Sequence, residues 1–178
     1  MQHLLIADAG PLIALSRIQC LALLQPVFRP VTITTVVARE LGCGVSLEVE
    51  GQALPAATAA LIQALEDGWL TISAADGSAP YPPLNPGVDA AEASAIGLAL
   101  QRQAAGDEVL LLIDGRCGRA EARHRRLAII GTAAVLVLAK EQRLIEACAP
   151  LLSALREEGY YVLSDGLIQA VLSQVAEG

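Results

Sequence analysis

The sequence predicts an α/β fold in which helices sandwich a mainly parallel sheet. Three observations carry this. Short aliphatic or β-branched runs alternate with segments of helical period along the whole chain, a rhythm that demands crossover connections. One run, VLLLID at 109–114, is nearly all apolar, as a strand covered on both faces should be. Carboxylates close two of the runs, at Asp8 and Asp114, and open α/β sheets bind ligands beyond the carboxyl ends of their strands.

The elements follow in order. LLIAD (4–8) reads as the first strand. Gly10-Pro11 turns the chain into PLIALSRI and LALLQ, read as helix, where Pro11 fits a first turn because its missing N–H has no helical partner. VTITT (31–35) is β-branched and reads as a strand, and TTVVARELG as a helix closed by Gly42. Residues 54–67 have helical period, WLTIS (69–73) is the third strand, and SAPYPPLNPG (78–87) is a proline-rich loop. A long helix over 89–104 precedes the strand at 109–114. GRCGRAEARHRR is helical, LAII a strand, and TAAVLVLAKEQ a helix, with two more helices over 147–158 and 165–176. No linker splits residues 1–178, so one domain is expected.

The bulk numbers narrow the function. A chain that is 54% apolar but 3% aromatic packs an aliphatic core and is not disordered. A net charge of −7 excludes coating nucleic acid by bulk electrostatics, though it leaves room for a local basic patch or a basic partner. Cys20, Cys43, Cys117 and Cys148 are scattered without a C-x-x-C pair, which speaks against zinc and for reduced thiols in a cytoplasmic protein. The first apolar run lacks a basic start and contains Asp8, so no signal peptide is expected. LAIIGTAAVLVLA, the longest apolar stretch, falls short of the ~20 residues a membrane span needs. No phosphate-binding glycine loop occurs, and His3 and His124 sit in no catalytic arrangement.

Four acids occupy informative places. Asp8 and Asp114 end strands, and either could simply cap the following helix. Asp89 and Glu92 fit a capping box, yet Glu92 also shares a helix face with Ile96 and Ala99 and should point towards the sheet. Glu40 sits near a helix C-terminus, where the macrodipole disfavours an acid. Taken together, they would repel one another unless a divalent cation joined them. Mg²⁺ or Mn²⁺ prefers such oxygen ligands and can clamp a phosphodiester. Directly after Asp114 come Arg116, Arg119, Arg123, Arg125 and Arg126. The first three share a helix face and read either as a phosphate-gripping ridge or as an exposed face pairing with acids such as Glu121. Thr132 follows Gly131 at a helix start and reads as a cap, and Trp69 reads as core.

These pieces resemble the PIN-domain nucleases, in particular a subfamily related to the VapC-type toxins of bacterial and archaeal toxin–antitoxin pairs. The likeness rests on IADAGPLIALSRIQCLALL, VTITTVVAREL, DAAEASAIGLAL, LLIDGRCGRAEA and IIGTAAVLVLAKEQRLIEACAPLLSALREEGYYVLSD, in the family's order and spanning nearly the whole chain. It implies a three-layer α/β/α fold, a Mg²⁺ or Mn²⁺ site, cleavage of single-stranded RNA, an antitoxin protein as partner and a homodimer. The family's acids fall on Asp8, Glu40, Glu92 and Asp114, with Asp8, Glu92 and Asp114 as metal ligands and "GT" at Gly131-Thr132 near the pocket rim. Two departures stand out. Ala9-Gly10 replaces the hydroxyl residues that often follow the first acid, so Gly10 brings no group to orient Asp8. Ser94 stands where a further acid is common. They leave open an alternative: a PIN-like module that binds RNA or a protein without cutting.

Overall fold

The structure, a computed structural model, describes residues 4–28, 30–43, 56–73, 81–159 and 163–176. His3, residues 54–55 of the expected helix, 78–80 of the proline-rich loop and 177–178 lie outside them. Among the described residues, five strands form the sheet: β1 (Leu4–Ala7), β2 (Val31–Thr34), β3 (Leu70–Ser73), β4 (Val109–Leu112) and β5 (Ala128–Ile130). Around them run α1 (Ala9–Arg17), a 3-10 turn (Leu21–Leu23), α2 (Leu24–Val27), α3 (Thr35–Glu40), α4 (Ala56–Glu66), α5 (Ala90–Ala104), α6 (Arg116–His124), α7 (Thr132–Glu141), α8 (Ala149–Glu157) and α9 (Asp165–Gln174). The expected α/β sandwich is borne out, and every strand pair is parallel.

The strand order is β3-β2-β1-β4-β5. From β1 the chain winds outward through β2 to β3, then returns to the other side of β1 for β4 and β5. The reversal puts a topological switch between β1 and β4, and a crevice for ligands opens outside the carboxyl ends of such strands. Asp8 follows β1 and Asp114 follows β4 by two residues, so the two acids flank the switch.

Alternation along the strands divides the core. Leu5, Ala7 and Leu112 face the layer built from α1, α3, α4, α7 and α8. Ile6, Leu111 and Ile113 face the layer that includes Ala95, Ile96 and Ala99 of α5 and Ala122 of α6. Leu5, Ile6, Leu111 and Leu112 are all fully buried, which explains why these runs lack polar alternation. Trp69 is buried in the first layer, as expected of a core residue. Among the described residues, no single helix is long and apolar enough to cross a membrane.

Candidate metal centre and nucleic-acid face

Period-two alternation decides how the strand-end acids point. Asp8 continues the face of Ile6, in an extended conformation (φ −80°, ψ 163°) as N-cap of α1, and so turns towards α5. Asp114 continues the face of Leu112 and turns towards α7. Two sub-sites result.

On the α5 side, Asp8 is 6% exposed, and its Oδ1 is buried without a hydrogen-bond partner. Burial pushes the carboxyl up from 3.8 to about 7; the N–H groups of Ala9 and Gly10 pull against this, while the charges of Glu92 and Asp89 add to it. Glu92 is equally buried. The expected capping box is present: Asp89 Oδ1 accepts from Glu92 N at 2.8 Å, and Asp89 N donates to Glu92 Oε2 at 3.3 Å. Burial, then the charge of Asp89, raises Glu92; the N–H groups of Asp89 and Gly118 oppose that, and Glu40 adds to it. Glu40, the last residue of α3, is exposed, and partial loss of solvent and the charge of Asp89 raise it.

The carboxylate of Glu92 lies in a cradle of glycines. A Cβ on Gly115 would come within 1.8 Å of Glu92 Oε1, and one on Gly118 within 2.7 Å of the same atom. Gly115 is the N-cap of α6 and has no side chain to close the first turn, so Glu92 approaches the N3 amide of Gly118 from another helix. Nothing in the carboxylate pattern indicates this; the cue is the Gly115-x-x-Gly118 spacing directly after an acid.

On the α7 side, Asp114 is fixed by Thr132. Thr132 N donates to Oδ1 at 3.1 Å and Oδ2 at 3.3 Å, and Thr132 Oγ1 donates to Oδ2 at 2.5 Å. Thr132 was expected to cap its own helix. Instead Gly131 is the N-cap of α7, and the capping oxygen comes from Asp114 across the sheet rim. Likewise the N-cap of α6 is Gly115, not Asp114.

The five arginines divide: Arg126, past the end of α6, is exposed, and the other four lie on or next to the helix. Arg116 and Arg123 are exposed on α6. Arg119 is half-buried, and its Nη1 donates to the Ile113 carbonyl at 2.9 Å. Arg125 instead pairs with Glu121 at 3.3 Å and sits 5.2 Å from the centre of the Tyr81 ring. Glu121, 3% exposed, also accepts from the Tyr81 hydroxyl and from Leu84 N and Asn85 N at 3.2 Å. The Tyr81 hydroxyl foremost, with these amides and Arg125, draws the carboxyl down to about 2. This clamp pins the loop that leads into Asp89 and α5. Ser94, where a further acid was expected, is occupied structurally: its hydroxyl lies 2.7 Å from Thr34 Oγ1 and donates to the Ala91 carbonyl at 2.8 Å.

Residues 4–177 match the sequence model of a family described as a PIN domain. The chain belongs to the PIN-domain family. None of the curated proteins compared matches it significantly. PIN domains are generally metal-dependent nucleases, so the family points to nuclease-type chemistry and to a divalent cation. Among the described residues, no three His, Cys, Asp or Glu side chains are gathered closely enough to hold an ion by themselves. The donor chemistry nevertheless fits. Two buried carboxylates, one with an unpartnered oxygen and raised by the charge of the other, offer hard oxygen donors, and Mg²⁺ is commonly held by one or two carboxylates and its own waters. This PIN domain therefore suits a hydrated hard cation better than a closed protein cage.

Proposed function

We propose that this PIN domain is a Mg²⁺- or Mn²⁺-dependent endonuclease for single-stranded RNA, the toxin of a cytoplasmic toxin–antitoxin pair. The single observation that carries the reading is the buried, unpartnered Oδ1 of Asp8 set beside Glu92 at the topological switch. An ion there would be held by Asp8 and Glu92, with Glu40 and Asp89 adding negative charge, while Asp114, on the α7 side of the rim, would act from the second sub-site and not as a third ligand of that ion. When bound, the ion supplies Lewis-acid polarisation of the phosphate and a more acidic water.

The chain's own residues do the rest. Burial of Asp8 keeps bulk water from its carboxylate. The Gly115–Gly118 cradle fixes Glu92, and Thr132 fixes Asp114. Arg116, Arg119 and Arg123 hold the RNA backbone on either side of the cut, guanidinium geometry matching phosphate oxygens. A small antitoxin protein and a second copy of the chain complete the proposed assembly; light scattering after size-exclusion chromatography reads the dimer directly.

The test is cleavage of single-stranded RNA with Mg²⁺ or Mn²⁺ by the parent, Asp8→Asn and Asp114→Asn. Cleavage abolished by Asp8→Asn supports the reading, and cleavage unchanged by both substitutions removes it. A second reading, a PIN module that binds without cutting, is favoured by Gly10, Ser94 and the absence of a three-ligand cluster among the described residues. RNA retention without Mn²⁺ binding at millimolar metal would select it.

A further inference from the structure

Glu121 is a buried acid that the proposed reaction does not use. It stands on α6, and its donors come from two directions. Arg125 Nε reaches it along α6 at 3.3 Å, while the Tyr81 hydroxyl and the amides of Leu84 and Asn85 reach it from the loop at 81–88. That loop lies tight against both helices. A Cβ on Gly97 of α5 would come within 2.8 Å of Tyr81 Cβ, and one on Gly87 within 2.8 Å of Cys117 Sγ on α6. The last stretch of the loop is stiffened from within: Asn85 Oδ1 accepts from Gly87 N at 2.9 Å, and the Asn85 carbonyl accepts from Val88 N at 3.1 Å. Val88 is buried, and Asp89 follows it as the N-cap of α5.

These contacts close a ring. On one side the Glu92 carboxylate is held by α6, through Gly115, Gly118 and the Gly118 amide. On the other side Asp89 N donates to its Oε2. Asp89 ends the loop, and the loop is fastened to α6 by Glu121. We infer that Glu121 is a positioning residue for Glu92: by tying the loop to α6, it fixes the spacing between the two groups that grip the Glu92 carboxylate. A buried acid destabilises a fold unless its oxygens are met, and a carboxylate that meets several donors at once holds them in set directions. The inference rests on the metal reading, because Glu92 is placed for an ion, but the tie itself belongs to the metal-free chain.

Mn²⁺ calorimetry and metal-free amide exchange on the full chain test it, with Glu121→Gln as the main variant. Gln keeps the size but turns a donor towards the loop amides. Mn²⁺ affinity should fall about tenfold or more, as when the groups that orient a ligand are lost. In EDTA, exchange at the amides of Glu92 and Gly118 should rise about tenfold, together with that of Leu84 and Asn85. Tyr81→Phe removes one donor and should lower Mn²⁺ affinity about fivefold; if Glu121→Gln does not fold, this variant is judged by the same two readings. Leu152→Val, in the opposite layer, controls for lost stability: it should lower Tm and leave both readings at the parent's values. Mn²⁺ affinity unchanged by the loop variants, exchange raised only at Leu84 and Asn85, or an equal loss of affinity in Leu152→Val overturns the inference. A parent that binds no Mn²⁺ removes the metal reading instead. The Glu92 and Gly118 amides then decide the inference alone, upholding it if their exchange rises in Glu121→Gln and overturning it if it does not.

Discussion

Replacing Asp8 by Asn should make the metal-free protein more stable, because Asp8 is a buried acid with one carboxylate oxygen left without a hydrogen-bond partner. Its carboxyl rises from 3.8 to about 7 on folding, chiefly through burial. Between those values the folded chain holds a proton that unfolding releases, so stability is full below the unfolded pKa and falls as pH rises through about 7. At ~1.4 kcal/mol per pH unit, the ceiling on that loss is about 4 kcal/mol at pH 8. Local relaxation and the unmet donors of an Asn amide reduce the expected gain to about 1–3 kcal/mol. For a chain of 178 residues, that is a rise in Tm of about 3–10 °C. The assay is thermal unfolding by circular dichroism in EDTA from pH 5 to 8.5. The parent should lose stability across this range more steeply than the variant, and Mn²⁺ should stabilise the parent selectively. An Asp8→Asn protein that melts at or below the parent at pH 8, with the same pH slope, would refute the assignment of Asp8 as a buried, uncompensated acid.

Three further outcomes are expected. Gly115→Ala should displace the Glu92 carboxylate, since the new Cβ falls 1.8 Å from Oε1; Mn²⁺ affinity, read by calorimetry, should drop by ~10–100-fold. Thr132→Val keeps the shape but removes the hydroxyl donor to Asp114; RNA cleavage should fall by ~10–100-fold with a change in stability of about 1 kcal/mol. Glu121→Gln should loosen the loop at Leu84 and Asn85, raising amide exchange there about tenfold or more; in the parent, protection should be full above the ordinary carboxyl value of 4.5 and fade as pH falls from there to about 2, because the unfolded carboxyl takes up a proton in that window and the folded one does not.

The parts of this molecule legible in the sequence are those governed by local periodicity. The runs LLIA, VTIT and VLLL are strands because a sheet covered on both faces accepts only aliphatic or β-branched side chains, and all were expected. The Asp89–Glu92 box and the inward turn of Glu92 follow from spacing on one helix and were equally readable. Contacts between elements were not. The carboxyl ends of β1 and β4 could be matched to Asp8 and Asp114, but only the strand order shows that those strands are neighbours and that the two acids leave the rim on opposite faces. The Tyr81–Glu121–Arg125 clamp joins groups 40 residues apart in sequence, which no window of local pattern detects. Asp89 was read as a cap alone; its charge also bears on Asp8, Glu40 and Glu92, a consequence of tertiary placement.

The most direct test of the proposed metal centre is anomalous diffraction from a crystal soaked in Mn²⁺. An anomalous peak in contact with the carboxylates of Asp8 and Glu92, absent from the Asp8→Asn protein, is the predicted result. A fully soaked crystal with no peak beside those two carboxylates, or with the same peak retained after Asp8→Asn, would contradict it.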